Sequence, residues 1–309
     1  MSLTSLRNLR TQWFPPKPAF TEKELPSQKG RVAMPASALN YARSCMAPVP
    51  PYMASRSEAS PQTNLDSWPH RWWANTVLQE LAENAIQSIM KVQPAPKSPG
   101  KIKFLHLDLN DLESVKRAAT TFAQQESRVD VLWNNAGTGA NLVEAGAKTA
   151  QRFEAIVGMH CIATLLFTEL VRPQLREAAA APETARGSVR VVWTSSFLAE
   201  GASPANGIDF AVLDNGTKYR TRNYAVSKVG TWILGLVLAR RSNLDQEKIV
   251  SVVQNPDNLN AGSYAGTPAV AMFFISPLLH EAKFGAYTEL YAGLSSEITV
   301  EKNGAYIIS

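Results

Sequence analysis

Two side chains four positions apart carry the most chemistry in this sequence: Tyr224 and Lys228, in the run Tyr-Ala-Val-Ser-Lys. On a helix, residues four apart share a face, so the phenol and the ammonium stand together. A neighbouring cation favours phenolate and draws the tyrosine pKa down from about 10 toward working pH. Tyr224 then becomes a general acid or base for a carbonyl or a hydroxyl. The same spacing is common on solvated helices, so the pair gains meaning only from its surroundings.

Those surroundings are polar residues placed after apolar runs. Ser196 follows Val189–Trp193 (VRVVW), and a serine at that end of a parallel strand lies where ligands bind. Its hydroxyl is suited to hold a substrate oxygen beside Tyr224, or else it is an ordinary turn serine. Asn134–Gly137 (NNAG) follows Val129–Trp133 (VDVLW), and its small residues let backbone pass close to a ligand. Asp108 follows Ile102–Leu107 (IKFLHL) and is either an acceptor for an adenine amine or a helix-start cap.

The elements that must position these groups are regular from Lys101 onward. Strands are expected at Ile102–Leu107, Val129–Trp133, Val189–Trp193, Ile249–Val253 and Tyr306–Ile308. Helices are expected at Asp111–Gln125, at roughly Ala150–Glu177 as one long element, and at Ala225–Arg241. Strands alternating with helices imply right-handed crossovers and a doubly wound parallel α/β sheet. The first hundred residues differ. Residues 1–29 read as a surface arm, and 30–309 as a single domain. Gly30-Arg31-Val32 begins a strand that is expected to fail, and Glu58–Glu80 reads as neither helix nor strand. Helical spacing returns at Glu83.

In this order, Asp108, NNAG, Ser196 and Y-x-x-x-K resemble the short-chain dehydrogenase/reductase family, and its fungal members near the retinol-dehydrogenase-like branch in particular. The resemblance runs from about Lys101 to Ile308. It implies a Rossmann sheet, a nicotinamide cofactor and hydride transfer between a carbonyl and a secondary alcohol. It also implies roles. Tyr224 protonates the carbonyl oxygen, Lys228 holds the nicotinamide ribose, Ser196 positions the substrate oxygen, and Asn135, Ala136, Gly137 and Pro256 flank the cofactor. His160 stands where the family carries a proton-relay asparagine; it reads as a relay or as a packed helix histidine. PYMASRSE (51–58) is similar to the family's second strand and the turn after it. No acid precedes Arg56 there, and an arginine between Ser55 and Ser57 suits a 2′-phosphate, so NADP(H) is the expected cofactor.

The departures are as informative. The family's glycine loop lets backbone and a helix N-terminus cradle the pyrophosphate, but no glycine stands between Gly30 and Gly100. Two explanations stay open. Codons can be chosen for Pro35–Tyr41 that, read one nucleotide upstream, give Ala-Gly-Ile-Gly-Leu-Glu-Leu, which looks like that loop. On this reading Ala33–Pro50 is a displaced frame, PYMASRSE is back in frame, and the insert after Ser57, ending near Ala82, is translated intron. The alternative is a silent relative that has lost its cofactor loop. After the last long strand the family's Pro-Gly becomes Pro256-Asp257, and Ala261 stands where a threonine often follows.

Composition narrows the remaining classes. The net charge of +5 comes from scattered Lys and Arg, with no run beyond Arg240-Arg241, so no nucleic-acid partner is expected. Cys45 and Cys161 give no disulfide framework and fit a reducing compartment, and no signal-like or membrane-spanning run stands out, so a cytoplasmic protein is expected. His70, His106, His160 and His280 lack metal-ligand spacing. Ala261–Lys283 is rich in Ala, Phe and Leu where the family shapes its pocket, which points to a lipophilic small-molecule substrate. The family's habits imply a homo-oligomer.

Overall fold

The computed structural model describes residues 14–21, 23–28, 30–36, 71–76, 83–84, 86–87, 101–204, 207–208, 210–242, 247–260, 264 and 266–308. Among them, seven strands form one parallel sheet in the order β3-β2-β1-β4-β5-β6-β9. These are β1 (Val32–Ala36), β2 (Arg71–Thr76), β3 (Lys101–His106), β4 (Val131–Asn134), β5 (Val189–Thr194), β6 (Ile249–Asn255) and β9 (Tyr306–Ile308). A separate short pair joins β7 (Leu259–Asn260) to β8 (His280–Glu281). The strand order reverses between β1 and β4, which is where a doubly wound sheet opens a crevice at its carboxyl ends.

The middle strands are buried along their whole length, as parallel strands covered on both faces must be. Their registers pair Asn134 with Trp193 and Thr194 with Gln254, so β4, β5 and β6 end nearly level. The residues that follow, 135–137, 195–196 and 256–257, are therefore brought to one edge. Trp133 and Trp193 fill the two faces, with their indole N–H groups bonded to the Glu289 carbonyl (3.0 Å) and the Ser251 hydroxyl (3.1 Å).

The helix α1 (Leu112–Gln125) buries Val115, Ala118, Ala119 and Phe122, and Asp111 caps it by accepting from the Glu113 N–H at 3.0 Å. The expected long helix is broken. It runs as α2 (Ala155–Val157), a π-helical turn at Gly158–Ala163, α3 (Thr164–Leu170) and α4 (Arg172–Ala180), with a 48° bend before α4. Pro173 explains the bend, because its ring removes an N–H and clashes with the preceding turn. The helix α5 (Phe197–Gly201) and the short α6 (Phe210–Asn215) precede α7 (Arg220–Arg241). α7 carries Tyr224 and Lys228 and is buried on most sides. Then come α8 (Ala269–Ile275) and α9 (Ala282–Leu294). The arm reaches α9, where Phe20 meets Tyr291 edge to face at 5.6 Å.

The N-terminal part departs from expectation in two ways. β1 does not fail at Val32 but continues to Ala36. The strand beside it is Arg71–Thr76, inside a segment expected to be neither helix nor strand. Residues 51–58, expected to supply that strand, lie outside the described residues, and so do Ser55, Arg56 and Ser57. The parallel pairing of β1 with β2 and of β2 with β3 is intact, so the strands of the first unit are kept. Tertiary pairing outweighed the weak local pattern of RWWANT.

Candidate active site

Ser196, Tyr224 and Lys228 line one cavity of about 320 Å³ at the carboxyl ends of β4, β5 and β6. Asn135, Gly137 and Pro256 line it too, while Ala136 is buried behind them. The sheet edge thus gathers residues separated by more than a hundred positions in the chain.

Lys228 is buried, and its ammonium donates to the Thr194 carbonyl at 3.0 Å, with Nζ 5.6 Å from the centre of the Tyr224 ring. Ser195 fixes the same helix turn from the other side by donating to the Lys228 carbonyl at 3.0 Å. Burial draws the Lys228 pKa down to about 8, while Cys161 and Glu289 pull it up. Ser196 caps α5, its hydroxyl accepting from the Leu198 N–H at 3.3 Å.

Tyr224 departs from expectation. Burial pushes its pKa up to about 12, against the pull of the Ser196 hydroxyl, and Tyr264 adds to the rise. The ammonium stands over the ring rather than beside the phenol, and burial weakens its own charge, so desolvation outweighs the attraction. Tyr224 is therefore a protonated phenol at neutral pH, the form that gives a proton away.

His160 sits on the π-helical turn, buried, with both ring nitrogens engaged. Nε2 accepts from the Thr138 N–H at 2.9 Å, and Nδ1 meets the Ser227 hydroxyl at 2.9 Å. Ser227 gives its own proton to the Tyr224 carbonyl at 2.7 Å, so Nδ1 must be the donor. The network assigns one neutral tautomer, and burial holds the His160 pKa well below its usual value, with Lys228 adding to the effect. The imidazole brackets the loop after β4 to the backbone of Tyr224. It also lies edge to face with the Tyr224 ring at 5.7 Å. Gly137 is required by this contact, since a Cβ there would lie 2.5 Å from His160 Nε2. Neither Thr138 nor Ser227 was singled out from the sequence; the serine inside the YAVSK motif was the available signal.

Asp108 stands beyond β3 in a turn, its Oδ1 accepting from the Asn110 N–H at 2.9 Å. The helix cap is Asp111 instead, which leaves Asp108 at the sheet edge rather than in the helix.

Residues 74–207 match the family described as short chain dehydrogenase. A short-chain dehydrogenase/reductase of Pestalotiopsis fici, iacJ, is 40% identical over 314 residues, covering 99% of this chain and 88% of that protein. The chain belongs to the short-chain dehydrogenase/reductase family. A second member, from Phomopsis amygdali, is 35% identical across 97% of this chain and 84% of its own length. Solved structures share the fold at low identity. RhlG of Pseudomonas aeruginosa, in an NADP active-site complex, aligns with a TM-score of 0.62 at 16% identity, over 91% of this chain and 95% of that one. The carbonyl reductase Sniffer of D. melanogaster aligns at 0.58 and 15%, over 89% and 96%. As a member of this family the chain is an oxidoreductase using a nicotinamide dinucleotide and a small-molecule substrate. No single described helix is long and apolar enough to cross a membrane.

Proposed function

We propose that this short-chain dehydrogenase/reductase is an NADP(H)-dependent enzyme interconverting a carbonyl and a secondary alcohol on a lipophilic small molecule. The observation that carries the reading is the meeting of Ser196, Tyr224 and Lys228 in one cavity at the sheet's switch-point edge. Tyr224 delivers the proton to the carbonyl oxygen, Ser196 holds that oxygen, and Lys228 offers its remaining N–H groups to ribose hydroxyls. The nicotinamide end of a dinucleotide fits these residues, with Asn135, Gly137 and Pro256 on its walls and Ala136 behind. When bound, that ring supplies or takes up the hydride. Asp108, in the turn after β3, serves the adenine end. His160 acts here as a positioning residue through Thr138 and Ser227, not as a proton relay, because its Nε2 is held by a backbone N–H, which has no proton to pass on.

One feature supports NADP(H) over NAD(H): no acid closes β2, which ends Ala74-Asn75-Thr76. Arg56, with Ser55 and Ser57, precedes that strand instead of following it and lies outside the described residues. The apolar α8 supports the lipophilic substrate: it contributes Ile275 to the cavity, with Val270, Phe273 and Phe274 exposed beside it. A reducing cytoplasm and a homo-oligomer complete the reading, and fungal relatives support a role in secondary metabolism.

One observation favours a second reading, a silent chain with this fold: no glycine lies between Gly30 and Gly100 to cradle a pyrophosphate. A fluorescence titration with NADPH separates the two. It compares this chain with a version whose residues 33–82 are replaced by the frame-corrected segment. Tight binding confined to the replaced version assigns the machinery to a reductase hidden by its own N-terminal segment. Failure of both to bind, and to oxidise NADPH with any ketone, overturns the reductase reading.

A further inference from the structure

The helix α8 turns an apolar face to solvent. Val270, Phe273 and Phe274 stand at positions i, i+3 and i+4, so they share one side of the helix, and they are 74%, 76% and 71% exposed. The two phenyl rings pack edge to face at 5.4 Å. No residue of α8 is buried, and no Asp, Glu, Lys or Arg stands between Asp257 and Glu281. Single exposed apolar residues are ordinary, but a cluster of this kind marks an interaction surface. A basic turn lies against the same part of the molecule. Lys218, Arg220 and Arg222 are exposed around the exposed Tyr219, and no Asp or Glu stands between Asp214 and Asp245. Asn141 ties the turn to the helix. Its carbonyl accepts from Arg220 Nη1 at 3.4 Å, and its Nδ2 donates to the Thr267 hydroxyl at 2.9 Å. Thr221, Thr267 and Ile275 all line the cavity that holds Ser196 and Tyr224, so the basic turn and the apolar helix flank it.

The charges decide what covers this face. A second copy of the chain would set one basic turn against another, because an isologous contact joins like surfaces. An apolar helix face bordered by cations matches an anionic bilayer instead. A helix lying in the plane of a membrane puts its aromatic and aliphatic side chains into the headgroup–acyl boundary, and nearby Lys and Arg are drawn to anionic headgroups. We infer that α8 and the turn Lys218–Arg222 seat this protein on an anionic lipid surface. Val270, Phe273 and Phe274 enter the boundary, and Lys218, Arg220 and Arg222 meet lipid phosphates. The seat lies on the membrane and does not span it, since α8 and the turn Ser276–Leu278 that continues it fall far short of the ~20 residues of a span. It turns the cavity toward the bilayer, from which a lipophilic ligand enters without crossing water. This goes beyond the reductase reading and holds whether or not the cavity turns over a substrate.

The probe is lipid alone. Flotation measures binding of the whole chain, without cofactor, to vesicles of phosphatidylcholine and to vesicles in which about a third of the lipid is phosphatidylglycerol. The anionic vesicles should be bound about tenfold or more tighter than the neutral ones. Phe273→Ser combined with Phe274→Ser should weaken binding to the anionic vesicles by about tenfold. Lys218→Gln, Arg220→Gln and Arg222→Gln together should erase the preference for anionic lipid. Arg240→Gln with Arg241→Gln controls for net charge: these residues end α7, about 30 Å along the helix from Arg220, and their loss should leave the preference in place. Thermal melts check folding. Phe273→Trp gives a second reading, because bromine-labelled lipid should quench the added emission once the ring enters the bilayer. Failure to bind either vesicle assigns the face to a protein partner and overturns the inference. So does equal affinity for the two vesicles, binding untouched by the serine pair, or a loss in the Arg240 and Arg241 variant equal to that of the basic turn. NADPH binding and oxidation do not enter the readout, so failure here leaves the reductase reading standing, and failure there leaves the lipid seat.

Discussion

The edge built by β4, β5 and β6 and the edge built by β1, β2 and β3 belong to one sheet but were made by different means. At the first, every strand is buried along its whole length, and the residues after it converge on a cavity with Ser196, Tyr224 and Lys228. At the second, the strands pair in the proper order, but no glycine follows β1 to admit a pyrophosphate. Strand pairing asks only for backbone hydrogen bonds and some apolar surface. Phosphate binding asks for close backbone approach, which depends on particular residues. A sheet therefore tolerates sequence change that its ligand does not.

The largest effect expected from that comparison is on NADPH. Replacing residues 33–82 by a glycine-loop segment should tighten the dissociation constant by about a hundredfold or more, a loss of the order expected when several charge-assisted phosphate contacts are missing. Equal affinities would show that the two edges are equally competent. Next, Tyr224→Phe in the binding-competent version should lower kcat by about 10²–10⁴, with the NADPH dissociation constant within about twofold of its parent on the affinity scale. A matching loss of affinity would mean that the tyrosine serves the cofactor rather than the proton. The pH profile sharpens the same edge further. Burial lowers Lys228 to about 8, so its charge is lost earlier than for a free lysine, and kcat/KM should fall as pH rises through about 8. The Tyr224 phenol stays protonated in that range, since its pKa is pushed up to about 12. A plateau to pH 10 would contradict the lysine's role.

Smaller effects follow from the bracket at His160. His160→Phe leaves the Thr138 N–H unpaired and takes from the Ser227 hydroxyl the donor it accepts from, and should cost about 1–3 kcal/mol of stability in denaturant melts. The wild-type bracket also sets an acid limit. His160 is held well below its usual pKa in the folded chain, so the unfolded chain binds a proton that the folded one refuses. Stability is full above about pH 6.5 and declines as pH falls below it. A melting temperature flat from pH 7 to 5 in His160→Phe, against a decline in the parent, isolates that contribution.

Much of the first edge was legible because its strands are long apolar runs and its helices keep a regular period. Ile249–Val253 was expected and the strand runs to Asn255; Ala225–Arg241 was expected and the helix starts at Arg220. The break before α4 had its signal in Pro173, but the apolar spacing around it masked the stop. β2 was not legible, since RWWANT has neither alternation nor a purely apolar run and its pairing depends on neighbours far away in the chain. At the site, the YAVSK spacing gave the proximity of Tyr224 and Lys228 but not the sign of the tyrosine shift, which is set by burial. The Thr138–His160–Ser227 bracket joins residues 22 and 67 positions apart, a tertiary fact with no local pattern.

That bracket also provides a spectroscopic reporter. Backbone amides in a sheet or helix bond to carbonyl oxygens, but the amide of Thr138 bonds to a ring nitrogen. A nitrogen–nitrogen hydrogen bond transmits a scalar coupling that nuclear magnetic resonance detects directly. In isotopically labelled protein, the cross-peak between the Thr138 amide and His160 Nε2 would report on an assembled catalytic edge without cofactor, substrate or turnover. Its disappearance on acidification or in a damaged variant would time the moment at which the edge comes apart.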